Sequence, residues 1–266
     1  LTVLTPIAMD HADKLGDTIE KIAFEKAGIL KPDVTSIVGP QPPEALDVIR
    51  ARARAVRAPL ITWGEDFDTF AQNGRLLFQS EDELTDLPLP ALVGPHQIVN
   101  AGVSIAAAQH LRSLGITDRA IEIGLGTVRW PARMQRLDGG VLAELAPQGA
   151  ELWLDGGHNP AGGAVIAQTL ADLEERSSKP LCLIVGMMGQ KDVDGFLTPF
   201  RGLVRRIVTV PIPGAHERPF DPAELAARAQ KLSFRAEAST DVEAALRHLR
   251  ATEHGPLRIL ICGSLY

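Results

Sequence analysis

Apolar positions along the chain change their rhythm near residue 134. From there on, short apolar runs alternate with segments of helical spacing: AELWLD, PLCLIVG, RRIVTVP, SFRAEA and LRILICG read as strands, and helices begin near Pro160, Asp192, Asp221 and Thr240. That alternation is the signature of a doubly wound parallel sheet. Asp221-Pro222-Ala223-Glu224 is a capped start with proline at the first helical position. Ligands of such sheets sit beyond the carboxyl ends of the strands, which puts LDGGHNP, VGMMGQKD, PIPGAHERP and CGSLY on one functional edge.

The first half is less regular. LTVLTPIAMDH opens strand-like, VTSIVGP and PLITWG flank an arginine-rich helix, and Asn73-Gly74 in FAQNGRLLFQ signals a hairpin. A small-residue helix is expected over Asn100 to Ser113, between a proline-rich passage and VRWPARMQRL. Another helix starts with Asp17 as its cap and Glu20 completing a capping box, and ends at Gly28 and Pro32. Ile19, Ile22 and Ala23 mark its buried stripe, and Lys26 falls on the next position. Either the lysine lays its stem on the apolar face and lifts its head to water, or it is buried and needs a partner or a change of charge.

Composition narrows the class. The chain has 266 residues, 45% of them hydrophobic, enough for two domains with real cores. A net charge of −6, with Arg50, Arg52, Arg54 and Arg57 on what reads as a solvated helix face, gives no argument for nucleic acid as a partner. Cys182 and Cys262 lie inside apolar runs, so neither a disulfide framework nor a zinc site is indicated, and a reducing, cytoplasmic setting is expected. No run approaches the roughly 18 to 20 apolar residues of a membrane span, so no membrane is expected as a partner. The chain starts without methionine in a strand-like run and stops on a buried one, which suggests a fragment of a longer protein.

Four stretches could carry chemistry. LDGGHNPAGG follows a strand and opens a helix, with Asn159 as cap and Pro160 first in the helix. Such a turn can attract a phosphate or carboxylate, with Asp155 accepting from a ribose or amine, or it can simply be a tight turn that needs its glycines. Asp10 and His11 follow a strand, but no second histidine sits at metal-site spacing. GMMGQKD lacks the spacing of a phosphate loop, no such loop occurs in these 266 residues, and GLGTVRW lacks the third glycine of a dinucleotide fingerprint.

Taken in order, DHADKLGDTIEKIAFEKAGILKP, HQIVNA, WPARMQRL, LDGGHNP and ICGSLY resemble the folylpolyglutamate synthase/dihydrofolate synthase family of the Mur ligase superfamily. The resemblance implies an α/β protein: an incomplete Mur-ligase-type ATPase domain over residues 1–133, then a Rossmann-like C-terminal domain with a mostly parallel sheet over 134–266. It implies an ATP-dependent ligase that joins L-glutamate to dihydropteroate or folate through an acyl phosphate, with ATP and Mg2+ as cofactors, as a monomer. It assigns Lys26, Arg133 and His158 to catalysis and Asn100, Arg133 and Asp155 to ATP, with His158 and Ser264 on the glutamate side. His11 and Lys26, the latter as a carbamylated lysine, become magnesium ligands, since carbamylation turns a cation into a hard oxygen donor. Gln97 and Gly157 depart mildly from the family pattern, and without a phosphate loop the fragment alone is expected to be inactive. Rival readings are a Mur-type amino-acid ligase of cell-wall synthesis, a non-catalytic nucleotide-binding protein and, third, a dehydrogenase.

Overall fold

The computed structural model describes residues 1–10, 15–81, 83–215 and 217–264. Contacts divide the chain into two compact units, Leu1–Ala91 with Pro95–Arg129, and Leu92–Gly94 with Trp130–Tyr266.

In the first unit, β1 (Thr2–Leu4), β2 (Ser36–Val38) and β3 (Leu60–Thr62) form a parallel sheet, with α1 (Ile19–Ala27) and α2 (Pro43–Val56) between them in the chain. Ile22, Ala23 and Ala27 of α1 pack with Ala45, Ile49 and Ala53 of α2 and with Leu4 and Val38 of the sheet. Two expectations are corrected here. Thr18, not Asp17, caps α1 by accepting from the Lys21 amide at 3.3 Å, while Asp17 pairs with the Lys21 ammonium. The buried stripe continues through Ala27, one position past Lys26, and Lys26 is exposed. A 3.6-residue repeat lets the stripe drift onto i+8, and alanine there lets α2 approach closely.

An antiparallel sheet follows, from β4 (Phe67–Gln72), β5 (Arg75–Ser80) and β6 (Leu84–Pro88). Its first turn holds Asn73 at φ 51° and Gly74 at φ 74°, the paired left-handed residues a two-residue hairpin requires. Across it lies α3 (Pro95–His110), which begins five residues before the expected Asn100 because Pro95 serves as the opening helical residue. Gly102 is obligatory at that contact, since a Cβ would come within 2.7 Å of the Trp63 ring. The unit closes with α4 (Asp118–Thr127), capped by Thr117.

The second unit is a six-stranded sheet. Along the chain come β7 (Gln135–Arg136), α5 (Val141–Leu145), β8 (Glu151–Leu154), α6 (Pro160–Arg176), β9 (Leu181–Val185), α7 (Val193–Leu197), β10 (Val204–Thr209), α8 (Pro222–Lys231), β11 (Ala236–Ala238), α9 (Val242–Thr252) and β12 (Arg258–Cys262). The spatial order is β11-β10-β9-β12-β8-β7, parallel throughout except that β7 runs against β8. Period-2 geometry sends Leu181, Leu183 and Val185 of β9 to one face and Cys182 and Ile184 to the other. The first face is covered by Ile166 and Leu170 of α6, Phe196 of α7 and Leu225 of α8, the second by Leu246 and Leu249 of α9. Helices on both faces explain why the strands are unbroken apolar runs. The fold is therefore the α/β architecture expected, with a mixed, mostly parallel sheet. SFRAEA is a strand only over its last three residues, because Ser233 turns through φ 71° before it.

Candidate active site

Three loops meet at the carboxyl edge of the second unit's sheet. The first leaves β8 as Asp155-Gly156-Gly157-His158 and enters α6, whose cap Asn159 accepts from the Gly162 amide at 2.7 Å. The second leaves β12 as Gly263-Ser264 and is tied to the first by the Gly263 amide donating to the Gly157 carbonyl at 3.0 Å. Gly263 sits at φ 101°, and a Cβ on it would come within 2.4 Å of the Gly186 carbonyl, so only glycine fits. The third is the approach to β7 through Ala132, Arg133 and Met134. It is held to the first loop by the Gly156 amide donating to the Ala132 carbonyl at 2.9 Å and the Met134 amide donating to Asp155 Oδ2 at 2.8 Å.

Asp155 is 4% exposed, and its other oxygen accepts from the Gly157 amide at 2.7 Å. Both oxygens thus face backbone donors, although a carboxylate has lone pairs to spare for a ligand. His158 is half-buried, and its Nδ1 donates to the Gly156 carbonyl at 2.9 Å. A carbonyl can only accept, so in the neutral imidazole the proton stays on Nδ1 and Nε2 is the acceptor nitrogen. Arg133 Nη1 donates to the Ala132 carbonyl at 2.9 Å, and among the described residues no carboxylate pairs with this guanidinium. Burial first, and the Asp155 carboxylate second, push the Cys262 thiol at the end of β12 far above its ordinary value. Cys182 is pushed up to about 11, chiefly by burial. Both cysteines are free, buried and neutral, which makes them packing groups and not nucleophiles.

Arg133, Asp155, His158 and Ser264, singled out from the sequence, thus share one set of touching loops. Lys26 and Asn100 lie in the first unit. Asn100 is exposed on α3, and its Nδ2 donates to Gln97 Oε1 at 3.1 Å. Lys26 is exposed near the end of α1, and His11 lies outside the described residues. Among the described residues no three His, Cys, Asp or Glu side chains cluster so as to hold a metal ion, and an ammonium offers no lone pair. The described side chains therefore do not make a magnesium site by themselves. Sequence reading overlooked Gln135, whose Oε1 accepts from the Ala132 amide at 3.0 Å. It also missed the left-handed backbone of Ala132 (φ 52°) and Met134 (φ 42°), which neither residue type signals.

Residues 133–265 match the model of the Mur ligase glutamate ligase domain. The chain is 29% identical to the dihydrofolate synthase/folylpolyglutamate synthase of Bacillus subtilis, over its whole length and 60% of that protein's. It is 32% identical to the enzyme of the same name from Mycobacterium tuberculosis, over 78% of this chain and 44% of the relative. A solved structure of Escherichia coli FolC in complex with DHPP and ADP superposes with a TM-score of 0.81 at 26% identity, covering 98% of this chain and 58% of that one. The chain thus spans about 60% or less of the length of these relatives. With the glutamate ligase domain matched across half of its length, this chain belongs to the Mur ligase family.

Proposed function

We infer that the protein is part of a folylpolyglutamate synthase/dihydrofolate synthase, adding L-glutamate to dihydropteroate or folate at the expense of ATP. The observation that carries this reading is the convergence of Arg133, Asp155, His158 and Ser264 on loops hydrogen-bonded to one another, in a chain whose relatives bear that name. Those names favour the folate branch over cell-wall ligases and over a non-catalytic nucleotide binder.

The reaction has two steps. The substrate carboxylate attacks the γ-phosphorus of ATP to give an acyl phosphate and ADP. The amine of L-glutamate then attacks the acyl carbon and expels phosphate, leaving an amide. Arg133, with no carboxylate against it among the described residues, offsets charge on the phosphoryl oxygens as they transfer. Asn100 and Asp155 complete the nucleotide contacts. Nε2 of His158 accepts from the incoming ammonium, while Ser264 hydrogen-bonds the glutamate carboxylate. Magnesium belongs to this reading through His11 and a carbamylated Lys26, and no step above depends on it. The division of labour proposed is ATPase residues over 1–133 and glutamate ligase residues over 134–266, in a cytoplasmic monomer; no helix among the described residues is long and apolar enough to cross a membrane.

The test is ADP release by the full-length protein, with dihydropteroate or a folate and L-glutamate each omitted in turn. Turnover requiring both is expected. Substituting Arg133→Ala should lower kcat by roughly 100- to 1,000-fold, the cost of losing one preorganised charge-stabilising group. ADP release indifferent to L-glutamate would sink the ligase reading.

A further inference from the structure

Ala132 and Met134 flank Arg133, and both are non-glycine residues in the left-handed region. Each costs about 1–2 kcal/mol against right-handed backbone. Such strain persists only where the surroundings over-determine it. Here four restraints act on the two residues that flank Arg133. The Ala132 amide donates to Gln135 Oε1 at 3.0 Å, and its carbonyl accepts from the Gly156 amide at 2.9 Å. The Met134 amide donates to Asp155 Oδ2, and the Met134 side chain, 2% exposed, is buried in the sheet's core. Gln135 is itself fixed by pairing with Leu154 in the β7–β8 ladder. The double reversal sends Met134 inward while Arg133 stays half-buried at the loop.

We propose that Gln135 and Asp155 are positioning residues for Arg133: they hold the strained peptides on either side of it, so that the guanidinium is placed before substrate arrives. This deepens the ligase reading and rests on it. Of the two, Gln135 is the cleaner probe, because Asp155 also stands in the proposed nucleotide site. Without the Gln135 acceptor the Ala132 amide is released, and Ala132 can relax to negative φ and turn Arg133 away. A displacement of that kind far from the reacting atoms costs up to roughly 100-fold in rate.

The experiment compares Gln135→Met, which keeps the length and removes the acceptor, with Gln135→Glu, which keeps an acceptor, both in the full-length protein. Hydrogen–deuterium exchange should quicken over residues 130–136 in Gln135→Met, leave the central strands unchanged, and return to normal in Gln135→Glu. In the same variants kcat should fall roughly 10- to 100-fold for Gln135→Met, recover in Gln135→Glu, and show no further fall when Gln135→Met is added to Arg133→Ala. An equal loss from Gln135→Met whether or not Arg133 is present would overturn the proposal. So would exchange that is unchanged, or that quickens across the whole sheet. Should the wild-type protein show no glutamate-dependent turnover, the ligase reading fails, and the exchange comparison still decides whether Gln135 holds the loop.

Discussion

The two ends of the six-stranded sheet manage charge in opposite ways. At the amino end, opposite charges neutralise one another. Arg258, 2% exposed at the start of β12, donates to Glu151 Oε2 at 3.0 Å and to Glu174 Oε2 at 3.3 Å, and its remaining donors reach the Leu173 and Ser177 carbonyls. Lys179 closes the cluster by donating to Glu151 Oε1 at 2.6 Å. At the carboxyl end, by contrast, Asp155 accepts from the Met134 and Gly157 amides, and Arg133 donates to the Ala132 carbonyl. For Asp155 and Arg133, backbone partners fix where the groups sit without cancelling their charge. One end uses its charges to hold strands together, whereas the other leaves Arg133 and Asp155 without an opposite charge among the bonds that fix them.

The difference can be broken most forcefully at Arg258. Truncation by Arg258→Ala would leave Glu151 with Lys179 alone, and take their donor from the Leu173 and Ser177 carbonyls. Losing one partner of a buried ion pair costs about 3–5 kcal/mol. The expected outcome is a urea-unfolding free energy lower by that amount, with the carboxyl-end loops unchanged in the surviving folded fraction. A loss below about 1 kcal/mol would mean that the amino-end cluster behaves like a surface ion pair and that the contrast is false.

How far each end could be read from the sequence follows from the same distinction. The strands were plain because apolar runs such as LCLIV in β9 and ILIC in β12 can only be covered on both faces. Asp192, Asp221 and Asn159 announced their helices as caps, and each accepts from an amide of the first turn. The loops DGGH and CGS also declared themselves, through glycines whose Cβ would strike neighbouring atoms. The stripe of α1 was misread at Lys26 because i+7 and i+8 are both allowed by a helix of 3.6 residues per turn, and tertiary packing chose Ala27. Nothing in Ala132, Met134 or Gln135 marks a left-handed clamp. Alanine carries no signal for positive φ, and the restraint comes from residues 21 positions downstream, at Asp155.

That clamp offers a gentler way to sharpen the contrast. If the carboxyl end stores strain, relieving it should stabilise the fold, a result no truncation at the amino end would give. Ala132→Gly removes the Cβ that makes φ 52° unfavourable, and offsets part of the gain through greater freedom in the unfolded chain. The net expectation is a stabilisation of roughly 1 kcal/mol, read as a higher urea midpoint with an unchanged slope. A lower midpoint would show that Ala132 is not strained.

The smallest effect belongs to acid. Burial raises the Glu151 pKa, but the hydrogen bonds from Lys179 and Arg258 and their charges outweigh it and leave the carboxyl below its ordinary 4.5. For Glu174 the bonds from Ser178 and the Lys179 amide lead the same downward shift. A carboxyl depressed in the folded state binds its proton more readily when unfolded, so its contribution is complete above the unfolded value and fades as pH falls through the folded one. The amino-end cluster should therefore weaken below about pH 4.5, while near neutrality its contribution is flat. Lys179→Met removes one of the two cations that depress Glu151 and should flatten the acid limb of a stability–pH curve, with Arg258 left as its partner. The measurement is the difference in urea midpoint between wild type and Lys179→Met at neutral pH and again below about pH 4. Convergence of the two proteins on acidification is expected. A gap that stays constant would mean that Lys179 acts through its stem's packing and not through the charge of Glu151.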